Sequence, residues 1–134
     1  MQDFRKLGVW AKSHELVIET HVALMKIQER QFPGLSGQMR RSAAAIPTNI
    51  AEGCGHATQR ELARFLQIAL ASAHELHYQL LLAHDLGALS GPQYARLDAR
   101  TEQVKQMLSA LLRKVRMKPD APSKRAAVER APSA

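Results

Sequence analysis

Four arginines are the side chains in this sequence whose spacing best suits the binding of a ligand. The groups that they would bind are phosphates. Arg40 and Arg41 are adjacent in a predicted second helix, whereas Arg60 and Arg64 lie four residues apart on one face of a predicted third helix. Only a short loop, residues 54–57, joins the two helices, so all four side chains are expected on one end or flank of the molecule. Guanidinium groups placed there would contact nucleic-acid phosphates without reading base sequence.

An ion-pair role is the alternative for the same arginines. Arg40 or Arg41 paired with Glu52, with Glu61 or with an acid of a neighbouring subunit would stabilise an assembly instead of binding a ligand. No aromatic residues are interleaved with the arginines, which argues against a surface that stacks single-stranded bases.

The six histidines and the single cysteine form no recognisable reactive site. His77 and His84 are one heptad apart, about 10 Å along a helix and too far to share one metal ion, and a second pair on the first predicted helix has the same spacing. The di-iron pattern requires a histidine three residues after a glutamate, which this chain lacks. Cys54 has only His56 nearby, in a glycine-rich loop. The sequence therefore predicts a non-enzymatic protein with no metal and no cofactor.

The composition predicts one compact helical domain. The chain has 134 residues, 46% of them hydrophobic and only 4% aromatic, so its core must consist of aliphatic side chains, as in helical bundles. No apolar run approaches the ~20 residues of a membrane span, and a lone cysteine favours a reducing, cytoplasmic location with no membrane association. Most of the net charge of +7 lies after residue 112, and residues 118–134 are predicted to be a disordered, basic, Pro/Ala-rich tail.

The first predicted helix, residues 4–30, is apolar over most of its circumference. Only a narrow strip around Glu15 and Glu19 is consistently charged. A bundle of four short helices covers one side of each helix, so a helix that is apolar on several sides requires a second covering surface. The sequence therefore predicts a homo-oligomer. The apolar tracks are Phe4, Ala11, Ile18 and Met25; Trp10, Val17 and Leu24; and Val9, Leu16 and Ala23.

The second predicted helix, residues 36–53, contains a proline near its middle. Pro47 removes one backbone donor and clashes with the preceding turn, so a kink or a restart is expected there. Asn49 and Glu52 are predicted to pair the backbone groups that the proline leaves without partners. Gly53 and Gly55 are predicted to end the helix in the left-handed conformation.

Capping boxes mark the starts of the third and fourth predicted helices, at 58–61 and at 90–93. Apolar residues then recur at alternating spacings of four and three, and Gly87 is expected to end the third helix. Because short loops between long helices make neighbours antiparallel, the predicted fold is all-α. It is an antiparallel up-down-up-down four-helix bundle over residues 1–117, with a Pro-kinked second helix.

Three segments of the chain carry a resemblance to a known family. FRKLGVWAKSHELV, QMRRSAAAIPTNIAEGCGHAT and ELARFLQIALASAHELHYQLLLAHDLG resemble the four-helix-bundle family of 23S rRNA intervening-sequence proteins. The accessory variability proteins of diversity-generating retroelements are relatives of that family. The resemblance implies a ring-shaped homopentamer and, in the retroelement branch, a basic surface that binds nucleic acid and a reverse transcriptase. His56 stands where the family usually has arginine.

Two functional hypotheses remain open at this point. The first is an oligomeric module that binds RNA or DNA and has a reverse transcriptase as a further partner. The second is an oligomeric scaffold with no nucleic-acid role, in which the arginines serve subunit contacts. A bundle that binds a metal through its histidines ranks behind both.

Overall fold

The computed structural model describes residues 2–120 as four α-helices preceded by one turn of 3-10 helix. The 3-10 turn is Phe4–Lys6, and the α-helices are α1 (Gly8–Leu24), α2 (Leu35–Cys54), α3 (Gln59–Asp85) and α4 (Gly91–Met117). No strand occurs in this part of the chain. The prediction of an all-α fold is confirmed, whereas most of the predicted tail, residues 121–134, lies outside the described residues.

Each helix packs against the next one in the chain, and α1 also packs against α4, so the four helices close a ring around a shared core. The predicted heptad positions of α3 are all buried, and Ala69 and Ala73 are among those with no exposed surface. Small side chains at these positions let the neighbouring helices approach α3 closely. On α4 the buried leucine near the end is Leu112, whereas Leu111 is only partly buried.

Helix α1 ends at Leu24, six residues before the predicted end at Arg30. The next residues form successive turns, in which the Ile27 amide donates to the Leu24 carbonyl. Residues 28–31 are all polar and exposed, so a further helical turn there would bury nothing in the core. The Glu29 carboxylate instead accepts a 2.7 Å hydrogen bond from the backbone of Gly34, and Gly34 adopts the left-handed conformation, with φ of 79°.

Helix α2 continues without interruption past Pro47, which is buried inside it. A restart of the helix is therefore not observed. The Asn49 side chain donates a 2.8 Å hydrogen bond to the carbonyl of Ala45 in the turn around the proline. Backbone groups close to a helical proline need such partners when water cannot reach them.

The left-handed ending predicted for α2 is wrong. Gly53 lies within the helix, and Gly55 follows it with φ of −78° and ψ of −11°, which is right-handed. Gly53 is needed for space: a Cβ placed there would lie 2.9 Å from the Cβ of Phe65 and 3.0 Å from a methyl carbon of Leu62, both on α3. The Gln2 amide also donates to the carbonyl of Cys54 and ties the amino-terminal segment to this end of α2.

The predicted starts of α3 and α4 are confirmed. The Thr58 hydroxyl accepts from the Glu61 amide. Ser90 and Gln93 form a full capping box, because each side chain accepts from the backbone amide of the other residue. Gly87 ends α3 in the left-handed conformation with φ of 81°, as predicted.

Candidate nucleic-acid interface

A basic groove lies where the start of α3 meets the end of α4. It has a volume of about 610 Å³, and its charged lining consists of three arginines and one glutamate. The sequence pattern predicted Arg60 and Arg64, which α3 carries one turn apart. It did not assign Arg116 of α4 to this site. The lining residues are Arg60, Glu61, Ala63, Arg64, Gln67, Ile68 and Arg116.

Two of these arginines are held in place by neighbouring side chains. Arg116 donates a 2.9 Å hydrogen bond to the Gln67 side chain, which links α4 to α3 across the groove. Arg64 lies 3.4 Å from the Glu61 carboxylate, an ion pair within the groove that differs from the predicted pairs of Arg40 or Arg41. Both pairs are exposed and leave guanidinium donors facing solvent.

An aromatic side chain does accompany the arginines, contrary to the sequence-based expectation. The guanidinium of Arg64 lies 4.4 Å from the ring centre of Phe65, and the His56 ring stacks on the same phenylalanine with centres 4.9 Å apart. His56 is therefore packed against the start of α3. Cation–π contact of this kind restricts where Arg64 points.

The other two predicted arginines lie in different grooves. Arg41 lines a polar groove between α2 and α3, together with Ser72 and Glu75. Arg40 borders an apolar groove between α1 and α2. Because Ser72 lies roughly 18 Å further along α3 than Arg60, Arg41 is well separated from the basic groove. The four arginines do not share one groove, and among residues 2–120 no ion pair joins Arg40 or Arg41 to Glu52 or Glu61.

The end of the molecule that holds the basic groove is rich in further cations. The last turns of α4 carry Arg113 and Lys114, and Lys118 directly follows the helix; all three are exposed. The Asp120 carboxylate accepts a hydrogen bond from the backbone amide of Gln59 at the start of α3, where a negative charge suits the helix dipole. Cations outnumber acids around the groove, which favours a polyanionic ligand.

Helix α1 presents an apolar ridge to solvent. Ile18, Val22 and Met25 have exposed fractions of 52%, 58% and 75%. Grooves lie on both sides of the ridge, one towards α4 and one towards α2. In contrast, Leu24 is buried and Trp10 is half-buried, with His14 stacked on its ring at 5.0 Å. The apolar excess predicted for the first helix is therefore present, but it is concentrated in the second half of α1.

The histidines and the cysteine have structural surroundings. Burial raises the pKa of the Cys54 thiol, which keeps it in the unreactive protonated form. His84 stacks on Tyr94 with ring centres 4.5 Å apart, and His77 hydrogen-bonds with Asp98 of α4. Between residues 2 and 120, no three His, Cys, Asp or Glu side chains are grouped closely enough to hold a metal ion. None of the helices in that range combines the length and apolar character that crossing a bilayer requires.

The sequence profile of the 23S rRNA-intervening sequence protein family matches residues 5–110. This chain belongs to that family. The match covers α1, α2, α3 and most of α4, and it confirms the resemblance drawn from the three sequence segments. Membership of the 23S rRNA-intervening sequence protein family brings no assigned activity.

A solved structure has the same fold. It is a protein of unknown function from the S23 ribosomal protein family of Bacteroides thetaiotaomicron, with a TM-score of 0.73 and 24% sequence identity. The alignment covers 78% of this chain and 95% of that one. Among curated proteins, no sequence match is significant.

Proposed function

We propose that this protein is a non-enzymatic, oligomeric four-helix bundle that binds RNA or DNA through phosphate contacts in the basic groove. The groove brings Arg60, Arg64 and Arg116 together with one acid, Glu61, and this is the observation that carries the proposal. The accessory proteins of retroelements are relatives of the family that this sequence resembles, and this is the reason to include a reverse transcriptase among the partners. The single cysteine is the reason to expect a cytoplasmic location.

Phosphate contact by these arginines is a matter of charge and geometry. Arginine offers five donors in a fixed fork that fits two phosphate oxygens at once. Gln67 and Phe65 hold two of the guanidinium groups at defined positions, so less side-chain freedom is lost when a phosphate binds. Such contacts fix position on the nucleic acid but carry no sequence information.

The salt dependence of RNA binding tests the proposal. If three phosphates are contacted, the affinity for a structured RNA should fall roughly 20- to 40-fold between 50 and 200 mM salt. The double variant R60E/R64E should weaken binding at every salt concentration and reduce the slope of log affinity against log salt by about 1.4–1.8. Fluorescence anisotropy with a labelled RNA hairpin measures both quantities.

The matched control carries the same change in charge elsewhere. Lys26 and Arg30 lie beyond the end of α1, in the segment that leads into α2, and both are exposed. K26E/R30E should lower the affinity by the general loss of charge and leave the salt slope within about 0.5 of the wild-type value. Equal effects of the two double variants would contradict a site at the basic groove.

The second candidate is an oligomeric scaffold without a nucleic-acid role, and the apolar ridge on α1 favours it. Three neighbouring aliphatic side chains that are more than half exposed are unusual for a monomer unless they form an interaction site. We place subunit contacts on this ridge, within the homopentamer that the family resemblance implies. The direction of each helix belongs to the same proposal. An up-down-up-down course is supported by the short connections at residues 55–58 and 86–90 between packed helices. A kink at Pro47 is expected from the backbone donor that proline lacks.

Sedimentation velocity tests the oligomer. Val22→Glu places a charge at the centre of the ridge and should convert pentamers to monomers without loss of helical circular dichroism. Ala110→Glu introduces the same charge on the exposed side of α4 and should leave the pentamer intact. A wild-type chain that sediments as a folded monomer at high concentration would refute the oligomer. Salt-dependent binding of structured RNA by the wild type separates the two proposals, because the scaffold has no nucleic-acid role.

A further inference from the structure

His77 stands at the centre of a group of charged side chains that crosslinks α3 to α4. Its Nε2 atom lies 2.6 Å from a carboxylate oxygen of Asp98. Its Nδ1 atom lies 3.0 Å from the ammonium of Lys105 and 3.7 Å from a carboxylate oxygen of Glu102. Both ring nitrogens therefore meet partners of opposite kind, a carboxylate on one side and an ammonium on the other.

These contacts determine which nitrogen of the neutral ring carries the proton. An ammonium group can only donate, so Nδ1 must accept from Lys105. A carboxylate can only accept, so Nε2 must carry the hydrogen and donate a hydrogen bond to Asp98. Neutral His77 is thereby fixed as the Nε2–H tautomer.

Protonation of the ring makes the contact with Lys105 impossible. Nδ1 then carries a hydrogen that would point at another donor, and two positive charges would stand 3.0 Å apart. The nearest acceptor for the new hydrogen is the Glu102 carboxylate at 3.7 Å. Glu102 also lies 3.6 Å from the Lys105 ammonium, so the acceptor that replaces the lysine is already within reach.

We propose that His77 is a pH-operated switch that exchanges its partner on α4, from Lys105 when the ring is neutral to Glu102 when it is protonated. The exchange releases the ammonium of Lys105, whose side chain is only 17% exposed, towards the groove between α3 and α4. Acidification therefore adds one positive charge to this face, on the ring, and frees the existing charge of the lysine from its contact with Nδ1. The proposal does not depend on nucleic-acid binding.

The titratable groups that line the groove or contact the ring lie on α3 and α4. The side chains that share the groove or contact His77 are His74 and Tyr78 on α3, and Tyr94, Asp98, Glu102 and Lys105 on α4. Two carboxylates and one ammonium lie close to the ring nitrogens, with Asp98 at 2.6 Å, Glu102 at 3.7 Å and Lys105 at 3.0 Å.

The test is nitrogen NMR of the full-length protein with ¹⁵N-labelled histidine, titrated across pH 8 to 5, the interval in which imidazoles change charge. At pH 8 the Nε2 of His77 should give the signal of a protonated nitrogen and Nδ1 that of an unprotonated one. The opposite assignment would overturn the proposal, and this measurement needs no variant.

Two variants then test the exchange of partners. Lys105→Met removes the donor that opposes protonation and should move the His77 midpoint to higher pH by roughly half a unit. Glu102→Gln removes the negative charge of the carboxylate that would accept from the protonated ring, and it should move the His77 midpoint to lower pH by a similar amount. The midpoint of His14, which lies on α1 and stacks on Trp10, should stay constant in both. Midpoints of His77 that move in the same direction, or that do not move, would refute the switch.

Discussion

Replacing Gly53 with alanine tests the close contact between α2 and α3. The added Cβ would lie 2.9 Å from the Cβ of Phe65 and 3.0 Å from Leu62. Because the Cβ of Phe65 is fixed to its backbone, relief requires the two helices to move apart. Overpacking of this kind costs about 1–3 kcal/mol, whereas the higher helix propensity of alanine returns at most about 1 kcal/mol. We expect Gly53→Ala to lower the free energy of unfolding by roughly 1–2 kcal/mol.

Two other glycines supply the matched comparisons. Gly37 lies in the first turn of α2, and a Cβ there would make an ordinary contact at 3.5 Å with the flexible guanidinium end of Arg41. Gly37→Ala should be neutral or stabilising by up to about 1 kcal/mol, because it restricts the unfolded chain. A Cβ at Gly55 would lie 3.3 Å from the carbonyl oxygen of Glu52, and Gly55 has a right-handed backbone. Gly55→Ala should therefore cost less than Gly53→Ala, whereas a left-handed ending would make Gly55 the costlier site.

Urea denaturation followed by circular dichroism measures these differences, since a change in midpoint at constant slope reports stability alone. For a chain of this size the expected loss at Gly53 corresponds to roughly 4–8 °C in Tm. Stability of Gly53→Ala equal to or above that of the wild type would refute the packing argument. A larger loss of stability in Gly55→Ala than in Gly53→Ala would instead support a left-handed end of α2 at Gly55.

Three further outcomes follow from the helix ends and the buried thiol. Gly87→Ala should lower the free energy of unfolding by about 1 kcal/mol, because its φ of 81° is unfavourable for a residue with a Cβ. Asparagine tolerates this conformation better, so a Gly87→Asn variant that loses as much stability as Gly87→Ala in urea denaturation would argue against this reason. Ser90→Ala should cost about 1 kcal/mol through loss of the α4 cap, which thermal melting would detect. Burial raises the pKa of the Cys54 thiol, so the unfolded state loses this proton first and the stability contribution disappears as the pH rises above the ordinary thiol range. Wild type should therefore lose more urea resistance between pH 8 and 10 than Cys54→Ala, and parallel pH profiles would contradict it.

Local signals in the sequence were enough for the ends of two helices. Thr58 and Ser90 each accept a hydrogen bond from a backbone amide within four residues, so both partners of the interaction are close together in the sequence. The same holds for Gly87, whose conformation closes α3. The seam of α3 was predictable because its period reflects burial on one side of a regular helix.

Features that depend on residues far apart in the sequence could not be predicted from local patterns. The prediction that Gly53 ends α2 in the left-handed conformation was wrong, because a glycine is required there by the close approach of Phe65 on the next helix. Arg116 joins the basic groove only because the end of α4 lies beside the start of α3. The partners of His77 on α4 are 21 and 28 residues away, and no spacing rule within one helix connects them.

The hydrogen bond from the Gln2 amide to the Cys54 carbonyl has a practical consequence for anyone who handles this protein. Whatever is attached ahead of Gln2, such as an affinity tag, emerges beside the turn that leads into Arg60. A polyhistidine or acidic tag at that point would add its own charges to the surface under study and distort the apparent salt response. Purification handles at either end of the chain should therefore be removed before ligand assays, because Asp120 also lies beside the start of α3.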